Sequence, residues 1–281
     1  MNKYKINKAK IILINAFLMV LFFIISSCST DEKQVVANFT QLVMADEFNS
    51  DGAPNPDIWS YEIGTGTNGW GNNELQFYTD RTENVTVQNG VLIITAKKES
   101  YQGSNYTSAR LITKGKFEQT YGRYEARIRV PYGKGIWPAF WLLGDDANGT
   151  KVWPEIGEID IMEYIGSEPS RMFGTVHGPG YSGGESIGKP YVLENDRFDT
   201  GFHIFGIEWG PDYINFYVDD VLYNQITPDD VPGKWVFNQG PFYIILNLAV
   251  GGALPGSPNA ETVFPQTMLV DYVRVYKNSY N

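Results

Sequence analysis

The stretch Glu155-Ile156-Gly157-Glu158-Ile159-Asp160-Ile161-Met162-Glu163 alternates acids with aliphatic side chains at a period of two. Successive side chains of a strand point to opposite faces, so Glu158 and Asp160 share one face while Ile159 and Ile161 point into a core. Strict alternation would place Met162 with the acids and Glu163 with the isoleucines. One extra residue, a β-bulge, returns Glu163 to the face of Glu158 and Asp160. Three carboxyls on one face repel one another, which raises at least one pKa. Glycoside hydrolysis needs one protonated and one ionised carboxyl, and such a face can supply both. A solvated acidic edge and a Ca²⁺ site are the competing readings. An edge does not need isoleucines at strand period, and calcium prefers a flexible loop with Gly and Asn among its acids.

Outward from this segment the period of two persists. Val85 to Thr95 reads as two short strands around Asn89-Gly90, a strong hairpin signal. Arg123 to Val130 alternates polar and apolar residues, so one face is wet. Tyr213 to Tyr223 is a second hairpin that turns at Asp219-Asp220. Phe242 to Val250 is apolar enough for a core strand, and Met268 to Tyr276 alternates again. There is no long amphipathic helix and no internal repeat. Many short strands separated by turns mean an all-β sandwich or barrel.

The 281 residues are 43% hydrophobic and 19% charged, with 29 Gly and 15 Pro, which excludes disordered, collagen-like and coiled-coil chains. The net charge of −10 leaves no electrostatic footprint for nucleic acid. Aromatics reach 15%, which suits strands and also the flat apolar faces of sugar rings. A single Cys excludes a disulfide framework, and two His make a His-based metal site a poor expectation.

Residues 1–27 read as a secretory signal: Lys3, Lys5, Lys8 and Lys10, then an apolar run from Ile11 to Ile25, then small residues. The run is short for a membrane span, which needs about 20 residues. Ile25-Ser26-Ser27-Cys28 resembles a bacterial lipobox, with the only Cys as the lipidated residue. Ser29 follows it, so the aspartate associated with inner-membrane retention is absent. The expectation is a lipoprotein anchored to the outer membrane and facing the periplasm or the cell surface. Cleavage removes four lysines and no acid, taking the charge from −10 to −14. Residues 28–40 read as a polar tether, and 41–281 as one catalytic domain.

Glu158-Ile-Asp-Ile-Met-Glu163 resembles the active-site strand of glycoside hydrolase family 16, in the six-residue form of its laminarinase-like branch. Other segments resemble the same branch: Gly69 to Thr79, a cleft loop; Ser108 to Gly115; Gly135 to Leu143, a cleft wall; Phe242 to Gly252 with Leu254 to Pro258, the opposite wall; and Val270 to Tyr276, the closing strand. The resemblance covers residues 42 to 277. It implies a curved β-jelly-roll sandwich of two antiparallel sheets with a concave sugar-binding cleft. It also implies a retaining endo-hydrolase of β-1,3-glucan, with Glu158 as nucleophile, Glu163 as acid/base and Asp160 assisting the nucleophile. The backbones of Glu158 and Glu163 would lie roughly 13 Å apart, which their side chains must close to about 5 Å for retention.

Trp137 and Trp141 are four apart on a strand, hence on one face, and the resemblance places both at sugar subsites. It assigns Trp153, Trp70, Asn73 and Arg110 to substrate binding as well, and sets His177 beside the acid/base. Trp59, Trp209, Trp235 and His203 read as structural. The resemblance implies no cofactor for catalysis, and a structural Ca²⁺ at Glu47, Gly90 and Asp271 on the convex side. A monomer acting on polysaccharide is expected. A mixed-linkage glucanase or a marine galactanase remains an alternative on the same fold. A non-catalytic glucan-binding lipoprotein is disfavoured, because such relatives lack the catalytic acids and this chain keeps all three.

Overall fold

A computed structural model of the chain describes residues 39–146 and 149–278, all within the compact unit Asn38–Asn281. The signal segment, Cys28 and residues 28–38 of the expected tether lie outside the described residues. The strand Phe39–Asp46 begins two residues before the expected domain boundary, because Phe39 already pairs with Asn278. No helix among the described residues is long and apolar enough to cross a membrane.

Two sheets enclose one core. The eight-stranded sheet runs Ile187–Val192, Arg171–His177, Glu158–Tyr164, Ile136–Gly144, Phe242–Val250, Arg110–Ile112, Ser60–Tyr61, with Glu118–Gln119 beside Phe242–Val250. The ten-stranded sheet has Gly122–Arg129 and Gln266–Asn278 at its centre. Pairing is antiparallel throughout, except between Gln76–Tyr78 and Ser104–Ser108. Both expected hairpins form. Their turns carry positive φ at both central residues, Asn89 and Gly90 in one and Asp219 and Asp220 in the other. That geometry matches the twist of paired strands. Asp219 also accepts from Ile204 N–H at 2.8 Å and lies 2.7 Å from His203 Nδ1, so His203 fastens this turn.

The eight-stranded sheet divides its side chains cleanly. In Ile136–Gly144, the side chains of Ile136, Phe140 and Leu142 enter the shared core, while Trp137, Ala139, Trp141 and Leu143 line a cleft on the other face. Phe242–Val250 is buried along its whole length, yet within it Asn247 belongs to the cleft. Trp59 and Trp209 are core residues, and Trp235 packs half-buried against that core.

The expected bulge is present. Trp141 pairs with Asp160 and Phe140 with Met162, so Ile161 is the extra residue. On the other side, Asp160 pairs with Thr175 and Glu163 with Phe173, so Ile161 and Met162 together oppose Gly174. Both are fully buried in the core. Two consecutive apolar side chains on the core side are what return Glu163 to the face of Glu158 and Asp160.

Gly174 has no room for a side chain: an added Cβ would lie 2.1 Å from Tyr223 Oη and 2.6 Å from Phe216 Cδ1. Gly174→Ala is therefore expected to destabilise the domain by about 1–3 kcal/mol. That corresponds to a fall of several degrees in thermal midpoint, on the order of 2–4 °C per kcal/mol at this size. An unchanged midpoint in a calorimetric scan would show that the strand opposite the bulge can shift freely.

Candidate active site

The cleft on the eight-stranded sheet is a cavity of about 570 Å³. Glu158, Asp160 and Glu163 line it together. Trp153 Nε1–H donates to Glu158 Oε2 at 2.9 Å. His177 is in register with Glu158 on the neighbouring strand, and its Nε2 lies 3.1 Å from Asp160 Oδ2 and 3.7 Å from Glu158 Oε1. The backbone N–H of Gly183 donates to His177 Nδ1 at 3.1 Å. A ring nitrogen that accepts carries no proton, so the proton of the neutral imidazole sits on Nε2, facing the carboxyls. His177 thus faces Asp160 and Glu158, and it also acts on Glu163, the acid/base beside which the resemblance set it.

Burial dominates the electrostatics. It pushes Glu158 up to about 8, with the Asp160 charge adding, while His177, Trp153 N–H and Arg110 oppose the rise. Asp160 is raised by burial, against which its hydrogen bond with Glu158 acts. Glu163 is raised well above the ordinary carboxylate range by burial first and then by the charges of Asp160 and Glu158, while His177 and a Trp137 hydrogen bond oppose the rise. The three groups cannot all ionise at neutral pH. Glu158 has the Trp153 donor, and the imidazole proton faces Asp160 at 3.1 Å and Glu158 at 3.7 Å, so negative charge is best accommodated on the Glu158–Asp160 pair. Glu163 has two like charges against it and keeps its proton. One ionised and one protonated carboxyl on one strand face is the pair a double displacement needs.

Trp70, Trp137, Trp141, Trp153, Arg110 and His177 all line the cleft, as expected from sequence. Arg110 is buried, with its guanidinium 4.6 Å from the Trp70 ring and 4.9 Å from the Trp141 ring. Glu62 Oε2 lies 2.5 Å from its Nε, a partner the sequence reading missed. Trp70 is held in left-handed backbone between Gly69 and Gly71, both also at positive φ. A Cβ on Gly66 would come within 2.7 Å of the Trp70 indole, so a glycine is needed there. Asn73 is exposed and is not among the lining residues; its neighbour Asn72 is. Asn73 has a positive φ of 58°, and the residues on either side of it, Asn72 and Glu74, line the cleft. Glu74 and Asn247 also line the cleft and were missed. A lone Asn in the apolar run Phe242 to Val250 was the available signal for the second.

The expected calcium ligands are otherwise engaged. Both carboxylate oxygens of Glu47 accept from Arg274, at 2.7 and 2.9 Å. Asp271 Oδ2 accepts from Arg127 at 2.6 Å. Glu47 and Asp271 thus each have an arginine counter-charge, which a divalent ion at the expected site would have to displace or share. Among the described residues, the one three-ligand cluster of acid and imidazole groups is Glu158, Asp160 and His177 in the cleft. Its imidazole proton faces the carboxyls, which is the opposite of a ligating lone pair.

The profile of glycosyl hydrolases family 16 matches residues 71–274. The chain is 44% identical over 273 residues to a beta-glucanase of Rhodothermus marinus, covering 93% of each. It superposes on the laminarinase catalytic domain of Thermotoga maritima with a TM-score of 0.79 and 50% identity, covering 85% of this chain and 98% of that one. It superposes on the endo-beta-1,3-glucanase of Pyrococcus furiosus with a TM-score of 0.80 and 47% identity, covering 85% and 95%.

Asp160→Asn removes a negative charge that disfavours ionisation of both glutamates. Both pKa values should then fall, so both limbs of the bell-shaped pH profile of kcat/KM should move to lower pH, with reduced turnover. A profile that keeps its position would show that Asp160 carries no charge in the working enzyme.

Proposed function

The chain belongs to the glycosyl hydrolases family 16, and on that footing we propose that it cleaves internal β-1,3-glucosidic bonds of a laminarin-type glucan with retention of configuration. The observation that carries this reading is the bulged strand, which brings Glu158, Asp160 and Glu163 to one face of a tryptophan-lined cleft. The relatives named beta-glucanase, laminarinase and endo-beta-1,3-glucanase support the choice of bond.

In the first step, Glu158 attacks the anomeric carbon while Glu163 gives its proton to the leaving glycosidic oxygen. The C–O bond to the leaving sugar breaks and a covalent glycosyl-enzyme forms. Once Glu158 is esterified, its charge no longer faces Glu163, and Glu163 has become the base. It takes a proton from water, which attacks the anomeric carbon and releases Glu158. Asp160 and the His177 Nε2 proton hold Glu158 in position through this cycle. No cofactor enters these steps. The indoles of Trp137, Trp141 and Trp153 offer apolar platforms for pyranose faces, each worth about 1 kcal/mol by analogy with aromatic pairs. A neutral glucan suits such walls on an acidic protein, whereas a sulfated polymer meets like charge. The cleft is complete within one chain, which supports action as a monomer.

The lipobox around Cys28 supports secretion and lipid anchoring at the outer membrane, which would hold the cleft against extracellular or periplasmic glucan. Cys28→Ala should leave the protein as unprocessed precursor or release it from the membrane fraction. Wild-type protein found soluble, with no lipid by mass spectrometry, would refute the anchor.

The substrate is tested by product analysis on laminarin, lichenan, agarose and xyloglucan side by side. Laminarin should be cut fastest, to short oligosaccharides of β configuration. Some cleavage of lichenan is compatible, since it contains β-1,3 bonds. Rates on lichenan or agarose well above those on laminarin would discard the proposed substrate and leave the two-glutamate chemistry in place.

A further inference from the structure

Glu74 is a largely buried acid that the displacement chemistry does not use, yet it lines the same cleft. Two hydrogen-bond relays end on it. In the first, Trp141 Nε1–H donates to Asn247 Oδ1 at 2.7 Å, Asn247 Nδ2 donates to Tyr78 Oη at 3.1 Å, and Tyr78 O–H donates to Glu74 Oε2 at 3.0 Å. In the second, Val250 N–H donates to Gln76 Oε1 at 2.8 Å, and Gln76 Nε2 donates to Glu74 Oε2 at 2.6 Å.

The direction of both relays is forced at their origins. An indole N–H and a backbone N–H can only donate, so each amide must turn its oxygen to them and its NH₂ onward. Tyr78, Gln76 and Asn247 are buried, so no water competes for these bonds. Glu74 Oε2 therefore has two fixed donors, neither of which uses Oε1, and the exposed Asn72 amide is a further hydrogen-bond partner of the carboxylate. The loop that carries Glu74 is itself pinned: Leu75 N–H donates to Val250 O at 2.8 Å, and Ala253 N–H donates to Asn72 O at 2.7 Å.

Glu74 also has a defined place relative to the bond that is cut. Glu163, Ala139, Asn247 and Arg110 are successive pairing partners across four strands. Three strand spacings put Arg110 roughly 14 Å from the catalytic strand, or roughly two to three sugar residues along a bound chain. The charge of Arg110 reaches Glu74, and the Trp70 and Trp141 rings both contact that guanidinium.

We propose that Glu74 is a sugar-binding residue that sets specificity at a distal subsite: Oε1, which neither relay uses, accepts through a lone pair a hydroxyl hydrogen bond from a glucose unit two or three positions from the cleaved bond, with the Asn72 amide as its neighbour. This inference rests on the β-glucan reading of the cleft. A carboxylate oxygen aimed at a hydroxyl requires that the hydroxyl be free, so this position excludes sugars sulfated there.

Glu74→Gln is a clean probe because the relays dictate its orientation. Two fixed donors demand an oxygen at the Oε2 position, so the new NH₂ must replace Oε1. One acceptor becomes a donor while the buried network survives. The experiment measures kcat/KM of wild type and Glu74→Gln on purified laminari-oligosaccharides of increasing length, with thermal midpoints recorded for both. The midpoint should hold, the shortest cleavable oligosaccharides should be cut equally well, and the longer ones should lose tenfold or more. Glu74→Asp, which keeps the charge but withdraws it from the cleft, should show the same length dependence and serves if the glutamine variant does not fold. Equal loss at every length, or no loss at any, overturns the assignment of Glu74 while leaving the enzyme a β-glucanase. A wild type inert on every oligosaccharide of the series would instead sink the reading on which the inference rests.

Discussion

The β-bulge at Ile161 and Met162 is the constraint on which the site depends. Both side chains are buried in the core shared by the two sheets, and both face the single residue Gly174 across the ladder. Without it, strict alternation would turn Glu163 into that core, unpaired and desolvated, at a cost of several kcal/mol. With it, one strand delivers an apolar face to the core and three acids to the cleft. The same strand thus completes the fold and carries the chemistry, so fold and site cannot be altered independently there. Gly174 enforces the arrangement from the other side, since Tyr223 and Phe216 occupy the space where its side chain would be.

The cleft then separates the two glutamates by their neighbours rather than by their own chemistry. Both are buried, and burial raises both. His177 and an indole ease the rise on each, Trp153 at Glu158 and Trp137 at Glu163; what distinguishes them is that Glu163 faces the charges of both other acids, while Glu158 faces that of Asp160. The Gly183 N–H bond to His177 Nδ1 fixes the imidazole proton on Nε2, and so couples a loop at the cleft rim to the nucleophile. Such a site works against stability at neutral and alkaline pH. The folded-state pKa of Glu158 lies above its unfolded value, so ionising it disfavours the fold as pH rises from the ordinary carboxylate range through about 8.

Much of this was legible in the sequence, because it rested on patterns that sequence carries directly. Alternation gave the strands, Asn89-Gly90 and Asp219-Asp220 marked their turns, and the odd spacing of Glu163 required the bulge. The aromatic platforms followed from the resemblance and from Trp137 and Trp141 sharing a face. What was not legible depends on long-range pairing. Glu62 lies close to Arg110 only because Ser60–Tyr61 pairs with Arg110–Ile112. Asn247 and Glu74 are joined through Tyr78, which sits far from Asn247 in the chain. The resemblance assigned Asn73 to the cleft where Asn72 stands; the loop runs left-handed through Asn68 to Gly71, so neither strand nor helix periodicity could say which of the two asparagines faces inward. The arginine partners of Glu47 and Asp271, Arg274 and Arg127, likewise lie far away in the chain and could not be read from sequence.

The central claim is that the bulge divides the labour between two carboxyls on one strand, with Glu158 alone bonding to the sugar. It is tested most directly by trapping the intermediate. A β-1,3-linked fluorosugar glycoside with an activated leaving group forms the glycosyl-enzyme faster than water removes it, and peptide mass spectrometry locates the label. The account requires a single adduct on Glu158, formed at a rate that depends on Glu163 only weakly because the leaving group needs no proton. An adduct on Glu163 or Asp160, or turnover with no adduct and inverted product, would contradict it.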